Sequence, residues 1–343
     1  MGTGIAPKVD GEFPPTPYPI VPGHEAAGTV VAVGAQVANV RVGDRVAIDP
    51  SLFCGSCKYC RAGRGNLCEH WGATGDTVDG ALAEYVSVPA RNSYTLPDEM
   101  SFSSAAMVEP VSCAVHAVDR LGVVMGASVL VVGAGTMGLV LGQLLGHAGA
   151  RKVSFVDTNP AKLKLARSFG FEECYATLEE AVEAHGRYER VVEAIGVALV
   201  AERAIDAVAR GGTLMIFGVA PSGALARYRP FAVYNDEISI VGSMAVLSSY
   251  APTTRASPSV LVNTAEGTVC VAGDIVSSLE SFTDLVPCGI NTSAGDALAA
   301  IEKIRLNADR LFMSHDLALT KCQRAGFPEV PKLATGAPTR EGS

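Results

Sequence analysis

Apolar runs and helical patterns alternate through the middle of the chain. Ser128–Val132 is almost entirely apolar, which is typical of a strand buried on both faces of a parallel sheet. A helical pattern follows over Met137–Gly149, and Lys152–Asp157 has the pattern of a second strand. This alternation predicts an α/β fold with a doubly wound parallel sheet.

The alternation continues beyond these elements. Pro160–Phe169 begins with proline and is followed by glycine, which is the usual asymmetry of a helix. Thr177 and Glu180 have the spacing of a capping box at the start of another helix. Further strands are predicted from apolar runs at Arg190–Ala194, Thr213–Phe217 and Ile238–Val241.

The first part of the chain has a β pattern instead. Short runs rich in β-branched residues, separated by turn residues, predict strands at Ala27–Val33, Arg45–Ile48 and Ala81–Val88. The cysteine-rich segment between the second and third of these runs is polar and rich in glycine, and we expect a loop there. Segments 1–122 and 123–250 are therefore predicted to be separate domains.

The last part of the chain, 251–343, follows neither pattern. Ser248–Ser293 shows no sustained period, and Gly295–Arg305 predicts one helix. Lys321–Ser343 has too little apolar content to form a core, which predicts disorder.

The composition and charge of the chain limit the kinds of molecule that it is expected to bind. The formal net charge is −8 over 343 residues, which argues against nucleic acid because phosphate binding needs a basic surface. No secretion signal is recognised at Met1, so we expect a cytoplasmic protein.

Leu121–Ala150 lacks acidic and basic residues and is long enough to span a membrane, but a nucleotide-binding turn explains its eight glycines better. We therefore expect no membrane partner.

Four of the nine cysteines lie close together, and they are Cys54, Cys57, Cys60 and Cys68. Four thiolates complete a tetrahedral zinc shell and leave no open position for a substrate. The spacing therefore predicts a structural Zn²⁺ site. The alternatives are a redox pair or free thiols.

A glycine-rich turn joins the first predicted strand of the parallel sheet to its helix. Gly133, Gly135 and Gly138 have the GxGxxG spacing in the strand–turn–helix context that gives this motif its meaning. The glycines permit a tight turn, a close approach of the pyrophosphate and close packing of the helix on the strand. Thr136 and Met137 lie at the start of the helix, where backbone N–H groups bind anions.

Asp157 ends the second strand of this sheet, nineteen residues after Gly138. A carboxylate at this place accepts hydrogen bonds from the ribose hydroxyls and repels a 2′-phosphate, so NAD is favoured over NADP. Lys162 lies close enough in sequence to soften this exclusion. The alternative role for Asp157 is that of a turn or helix-capping acid.

A third motif consists of Gly23-His24-Glu25, with Glu109-Pro110 much later in the chain. A single His-Glu pair is usually a surface or core feature. With the cysteine cluster and the glycine-rich turn, however, these residues closely resemble the zinc-dependent medium-chain dehydrogenase/reductase family. Its polyol (sorbitol-type) and threonine dehydrogenases are the most similar branch.

The resemblance runs from about Gly11 to Leu247. It implies an incomplete GroES-like β domain over 1–122, a Rossmann NAD-binding domain over 123–250 and an atypical segment over 251–343. It also implies a homo-oligomer that acts on a small-molecule alcohol or polyol.

The resemblance further implies a role for each residue of the third motif. His24 would be a ligand of a catalytic zinc, Glu25 a ligand or close neighbour of it, and Glu109 would lie beside the metal in contact with water or substrate. The implied reaction is oxidation of a secondary alcohol with zinc as Lewis acid, in which a hydride passes to the nicotinamide.

One expected ligand of the catalytic zinc is absent from the sequence. Family members carry a Cys-Gly-x-Asp-x-His segment before Gly-His-Glu, whereas no cysteine precedes Cys54 here. This loss predicts weaker zinc binding. Two hypotheses follow: a dehydrogenase whose sequence is truncated or misread at its ends, or a catalytically impaired relative that binds NAD and structural zinc. The cysteine loop and His24-Glu25 argue against a zinc-free quinone reductase.

Overall fold

The computed structural model describes residues 17, 19–247 and 249–250, together with the backbone of 261–264, 267–272 and 310–313. Within the described residues, the first half contains eight strands and α-helices in chain order: β1 Ala26–Thr29, β2 Arg45–Ile48, β3 Ser51–Leu52, α1 Lys58–Arg61, β4 Gly72–Ala73, β5 Ser93–Thr95, α2 Phe102–Ala106 and α3 Val108–Leu121. Strands β1, β2 and β5 form an antiparallel sheet, and β3 pairs with β4.

The second half alternates strands and helices along the chain. Its elements are β6 Ser128–Val132, α4 Thr136–His147, β7 Lys152–Val156, α5 Pro160–Ser168, β8 Cys174–Tyr175, α6 Leu178–His185, β9 Tyr188–Glu193, α7 Ala198–Ala204, β10 Val208–Ile216, α8 Pro230–Asn235 and β11 Ser239–Gly242. The strands form one parallel sheet in the order β11-β10-β9-β6-β7-β8. The order reverses beside β6, the strand that leads into the glycine-rich turn.

The predicted Rossmann strands and helices are confirmed within one or two residues, except that β10 begins earlier, at Val208. β6 is buried at every position, which is why its sequence is a continuous apolar run. The capping prediction also holds in part. The Thr177 hydroxyl accepts a hydrogen bond from Glu180 N at 3.2 Å, while the Glu180 carboxylate accepts from Ala176 N at 2.9 Å.

Three predictions for the first half differ from the structure. Ala81–Val88 does not form a strand, because the N–H groups of Ala81 and Leu82 donate to the carbonyls of Gly23 and Pro22 in a loop. The predicted strand Ala27–Val33 is shorter, since β1 ends at Thr29. The cysteine segment contains the short helix α1 within its loop.

Helices α2 and α3 connect the two halves. The Ser101 hydroxyl caps α2 by accepting a hydrogen bond from Ser104 N. Gly122 caps the C-terminal end of α3, and its φ of 61° places it in the left-handed region. α3 packs against α4 and β11. One apolar cluster includes Ala47 of the first half and Leu141 of the second, so the two halves share a core.

A fourth sheet follows the second half in sequence. It consists of β12 Leu261–Thr264, β13 Gly267–Ala272 and β14 Arg310–Met313, with β12 antiparallel and β14 parallel to β13. The helix predicted at Gly295–Arg305 and the disorder predicted at Lys321–Ser343 fall outside the described residues. Among the helices that the structure describes, none combines the length and the apolar character needed to cross a membrane.

Candidate metal centres and dinucleotide cleft

The four clustered cysteines lie around one point between β3 and β4. Their Sγ atoms are all within 4.8 Å of one another, and the Cys54–Cys60 and Cys57–Cys68 pairs are both 4.0 Å apart. A tetrahedral zinc with Zn–S bonds of about 2.3 Å requires Sγ–Sγ distances of about 3.8 Å. The loop therefore has the donor set and the spacing of a closed Zn²⁺ site.

Backbone N–H groups surround these sulfur atoms. Cys54 Sγ accepts hydrogen bonds from the N–H groups of Ser56 and Cys57 at 3.4 and 3.3 Å. Cys68 Sγ accepts from the N–H groups of Cys54 and His70 at 3.3 and 3.2 Å. Hydrogen bonds, first from the Ser56 side chain, lower the pKa of Cys54 to about 5. Backbone hydrogen bonds also lower the pKa of Cys57, whereas burial and the neighbouring thiols raise the pKa of Cys60 to about 12. The hydrogen bonds thus favour the metal-binding thiolate form at Cys54 and Cys57.

The structure brings together His24, Glu25 and Glu109, the residues predicted to lie at the catalytic zinc. Ligand atoms of His24, Glu25 and Glu109 lie within 4.8 Å of one another, although Glu109 is far from the other two in sequence. Glu109 occupies the first turn of α3, and both carboxylates are buried, with exposed fractions of 8% for Glu25 and 6% for Glu109. Two buried carboxylates beside an imidazole repel each other unless a cation joins them, and these are donor types that zinc accepts.

A cluster of glycines holds the backbone that presents His24. Gly23 has a φ of 100°, which favours glycine over residues with a side chain. A Cβ on Gly75 would lie 2.2 Å from the Gly23 carbonyl oxygen, and a Cβ on Gly80 would lie 2.4 Å from the same atom. The loop containing Gly75 and Gly80 therefore packs directly on Gly23 and fixes its place.

A buried thiol lies behind Glu109. Cys113, one turn further along α3, donates its S–H to Glu109 Oε1 over a distance of 3.1 Å and is 1% exposed. Burial, followed by the charge of Glu109, raises the pKa of Cys113 well above its usual value. The sequence interpretation missed this residue, although its spacing of four from Glu109 on a helix was a usable signal.

The glycine-rich turn has the geometry that its sequence predicts. Gly133 has a φ of 109°, and its N–H donates to Val156 O at 2.7 Å. A Cβ on Gly138 would lie 1.8 Å from the Gly133 carbonyl oxygen, so α4 approaches the turn as closely as its backbone allows. A Cβ on Gly135 would meet nothing within 4 Å, and this open space leaves room for a pyrophosphate beside the N–H groups of Thr136 and Met137.

Asp157 lies directly beside this turn. Its Oδ2 accepts a hydrogen bond from Ala134 N at 3.0 Å, and its Oδ1 accepts one from Asn159 N at 2.8 Å. Lys162 Nζ is 3.5 Å from Asp157 Oδ2. The carboxylate is thus fixed at the carboxyl end of β7, where a ribose would lie next to the glycine-rich turn.

Glu193 is a further residue of the cleft that the sequence interpretation missed. It ends β9 and is 1% exposed, and its Oε1 accepts hydrogen bonds from Ile195 N and Gly196 N, both at 2.8 Å. Burial raises the pKa of Glu193. A Cβ on Gly133 would lie 2.8 Å from the Ile195 side chain, so Glu193 holds a loop against the glycine-rich turn.

A large cavity elsewhere does not contain these groups. It measures about 630 Å³ and is lined mainly by apolar residues of β1 and of the loop 81–88. His24, Glu25 and Glu109 are not among its lining residues. This cavity is therefore separate from the groups that could bind a metal.

Comparison with known proteins places both halves in one family. Residues 5–98 match the family description "Alcohol dehydrogenase GroES-like domain", and residues 136–256 match "Zinc-binding dehydrogenase". D-arabinitol dehydrogenase 1 of Uromyces fabae is 37% identical over 70% of this chain and 71% of its own length. An L-threonine 3-dehydrogenase of Chelativorans sp. (strain BNC1) is 37% identical over 60% of this chain and 62% of its own length.

A solved structure gives the same assignment. The crystal structure of a zinc-binding dehydrogenase from Sinorhizobium meliloti 1021, bound to NADP, is similar with a TM-score of 0.69 and 29% identity, covering 79% of this chain and 80% of that chain. The same family is thus indicated by the two matched regions, by the four-thiol loop and by the glycine-rich turn. The chain belongs to the zinc-dependent medium-chain dehydrogenase/reductase family, in the branch of the polyol and threonine dehydrogenases.

Proposed function

We propose that this chain oxidises a secondary alcohol of a polyol or a similar small molecule and transfers the hydride to NAD. The observation that carries this proposal is the meeting of His24, Glu25 and Glu109 in a chain that also has a dinucleotide-binding turn. The arabinitol dehydrogenase relative supports a polyol as the substrate class.

His24 and the two carboxylates would hold the catalytic metal. When bound, such a metal supplies a Lewis acid that lowers the pKa of the substrate hydroxyl. The buried Glu25 and Glu109 would provide the negative charge that retains such a cation. Gly23, Gly75 and Gly80 pack closely together and fix the backbone beside His24, which restricts the positions that its imidazole can take.

The second half would hold and orient the cofactor. Gly133, Gly135, Thr136, Met137 and Gly138 are proposed to cradle the pyrophosphate at the start of α4. Glu193 positions the neighbouring loop through two backbone hydrogen bonds.

The preference for NAD over NADP is proposed from Asp157. Its carboxylate is 8% exposed and would repel the 2′-phosphate of NADP at close range. Lys162, 3.5 Å away, offsets part of this charge. Since the related crystal structure is bound to NADP, both cofactors belong in the test.

The domain and assembly predictions also stand as proposals. Residues 1–122 would form the metal-binding half and 123–250 the cofactor half, with 251–343 as an additional segment. A homo-oligomer is supported by β11, an edge strand of the six-stranded sheet whose residues are mostly exposed, because exposed edges favour pairing with another chain.

The decisive experiment combines cofactor binding with turnover. Purified chain is titrated with NAD and with NADP by calorimetry, and reduction of each cofactor is followed with D-arabinitol and a set of other sugar alcohols. Glu109→Gln is expected to lower turnover by more than the about 10- to 100-fold that follows loss of an outer partner of a metal ligand, whereas Glu84→Gln, at an exposed glutamate of the same half, leaves turnover unchanged. NAD binding without turnover would instead support the impaired alternative, and absence of binding to either cofactor would contradict the proposal.

A further inference from the structure

A buried imidazole that the proposed reaction does not use lies where the two halves of the chain meet. His116 is 6% exposed and lies on α3, and its Nε2 is 3.4 Å from Asn66 Nδ2 of the four-thiol loop. The same Nδ2 atom donates a hydrogen bond to Met244 O, two residues beyond β11, at 3.0 Å. One amide nitrogen of Asn66 thus contacts α3 and the second half of the chain at the same time.

The Met244 carbonyl fixes the orientation of the Asn66 amide. A carbonyl oxygen only accepts hydrogen bonds, so it must face the nitrogen of the amide and not its oxygen. The same nitrogen then faces His116 Nε2. Because the amide nitrogen can only donate, Nε2 can bond to it only as an acceptor without a proton. The observed contacts therefore require a neutral His116 whose proton is on Nδ1.

The oxygen of the same amide is without a partner. Asn66 Oδ1 is buried and receives no hydrogen bond from any described residue, which costs free energy in the observed arrangement. A half-turn of the amide would exchange its oxygen and its nitrogen. Oδ1 would then accept a hydrogen bond from a protonated His116 Nε2, but it would also face Met244 O, and two acceptors repel each other. Asn66 can therefore bond to Met244 beside a neutral His116, or to a protonated His116 without Met244.

The surroundings of His116 oppose its protonation. Burial lowers the pKa of His116, and the charge of Arg120, one turn further along α3, lowers it further, whereas Asp119 on the same helix raises it. The four-thiol loop and the segment after β11 contribute the Asn66 amide and the Met244 carbonyl at this contact, and neither group titrates. The folded chain therefore binds this proton less readily than the unfolded chain, so stability is lost as the pH falls below about 6.5.

We propose that His116 is a pH-sensitive switch at the junction of the two halves: when it takes up a proton, the Asn66 amide turns towards it and releases Met244 O. The hydrogen bond that ties the four-thiol loop to the segment after β11 is then lost. The bond from Arg120 Nε to Gly242 O at 3.2 Å lies outside the switch and keeps α3 attached to the end of β11. Neither the second metal cluster nor the cofactor takes part, so this inference does not depend on the proposed function.

Nuclear magnetic resonance of the full chain measures the protonation directly. The histidines are labelled with ¹³C at Cε1, and the His116 signal is identified by its absence from His116→Gln. We expect His116 to titrate with a pKa below the ordinary histidine value of about 6.5. The side-chain amide signals of Asn66 are expected to change with the same midpoint, because the amide turns when the proton binds. A pKa at or above the ordinary value, or Asn66 signals that do not follow His116, would overturn the inference.

Hydrogen exchange measures the tie itself. Exchange of segment 243–247 is compared at about pH 7.5 and about pH 5.5, on either side of the ordinary histidine pKa of about 6.5, after correction for the intrinsic effect of pH. We expect the parent chain to lose protection of this segment at the lower pH. His116→Gln keeps a neutral acceptor for Asn66 and is expected to stay protected at both values, whereas Asn66→Ala lacks the tie and is expected to be unprotected at both.

A matched control separates the switch from a general effect of acid. His147→Gln changes an exposed histidine of α4 and is expected to lose protection at the lower pH as the parent chain does. Loss of protection in His116→Gln at the lower pH would show that another group responds to acid, such as the thiolates of the four-thiol loop, and the switch would be excluded. Equal protection of the parent chain at both values would exclude it as well. If a variant does not fold, the midpoints of His116 and Asn66 in the parent chain still decide the question.

Discussion

The buried position of Asp49 makes the stability of the folded chain depend on pH. It follows β2, and its Oδ1 accepts a hydrogen bond from Ser51 N at 2.8 Å. Burial, with a smaller contribution from the charge of Glu109, raises the pKa of Asp49 from 3.8 to about 6. The folded chain therefore retains a proton on Asp49 over a range of pH where the unfolded chain has lost it.

The consequence is a loss of stability as the pH rises from about 4 to about 6, because the native state binds more protons there. A shift of about two units corresponds to at most about 3 kcal/mol. Asp49→Asn is expected to remove this part of the pH dependence, as measured by urea unfolding of protein stripped of its exchangeable metal. Asp98→Asn, at an exposed carboxylate, serves as the control. An unchanged pH slope in Asp49→Asn would contradict the assignment.

Site residues that lie close together in the sequence could be predicted from their spacing. Cys54, Cys57, Cys60 and Cys68 surround one point, as their spacing indicates. Cys113 and Glu193 escaped prediction because each acts on a group whose importance becomes visible only in three dimensions: Cys113 on the carboxylate of a distant metal motif, and Glu193 on a loop beside the glycine-rich turn.

At the scale of elements, prediction succeeded where burial dictates the sequence. The strands of the parallel sheet are apolar because helices cover both faces, and their positions were predicted within a few residues. Prediction failed at Ala81–Val88, where the apolar pattern is real but the backbone bonds to the Gly23 loop. Helices α2 and α3 were not predicted, although α3 carries both Glu109 and Cys113.

The close contact between α4 and the glycine-rich turn can be tested with two glycine variants of the same helix, one of which is the control. Gly138→Ala would place a Cβ 1.8 Å from Gly133 O, so the helix must move. We expect a loss of about 1–3 kcal/mol of stability and at least about tenfold weaker NAD binding. Gly146→Ala lies on the same helix with nothing within 4 Å of its Cβ, and it is expected to stabilise the protein by about 0.5–1 kcal/mol. Calorimetry and urea unfolding measure both effects, and equal NAD affinity in the two variants would contradict this view of the turn.

At the scale of the molecule, the two halves are joined by a few specific hydrogen bonds in addition to their shared core. The Tyr250 hydroxyl, beyond β11, donates to Ile48 O at 2.7 Å. Arg120 Nε on α3 donates to Gly242 O at 3.2 Å. These bonds connect segments far apart in sequence, which is why their partners could not be predicted from local patterns.

Asn66 extends this junction to the four-thiol loop. It lies two residues before Cys68, its Nδ2 donates to Met244 O at 3.0 Å, and the same atom is 3.4 Å from His116 Nε2. Asn66 is 7% exposed and His116 is 6% exposed, so this contact is shielded from water. The four-thiol loop is therefore attached to the second half of the chain as well as to the first.

Asn66→Ala should accordingly weaken the junction without affecting the metal in the loop. The half-buried Met244 carbonyl would lose its hydrogen-bond partner, and an intramolecular hydrogen bond contributes about 0.5–1.5 kcal/mol net. We expect that loss in urea unfolding, with the zinc content unchanged because the Asn66 side chain makes its recorded contacts away from the thiols. Arg64→Ala, at an exposed position of the same loop, is expected to change stability by no more than about 0.5 kcal/mol. If Asn66→Ala also lost the four-thiolate zinc, the asparagine would be maintaining the loop itself and not its attachment to the cofactor half.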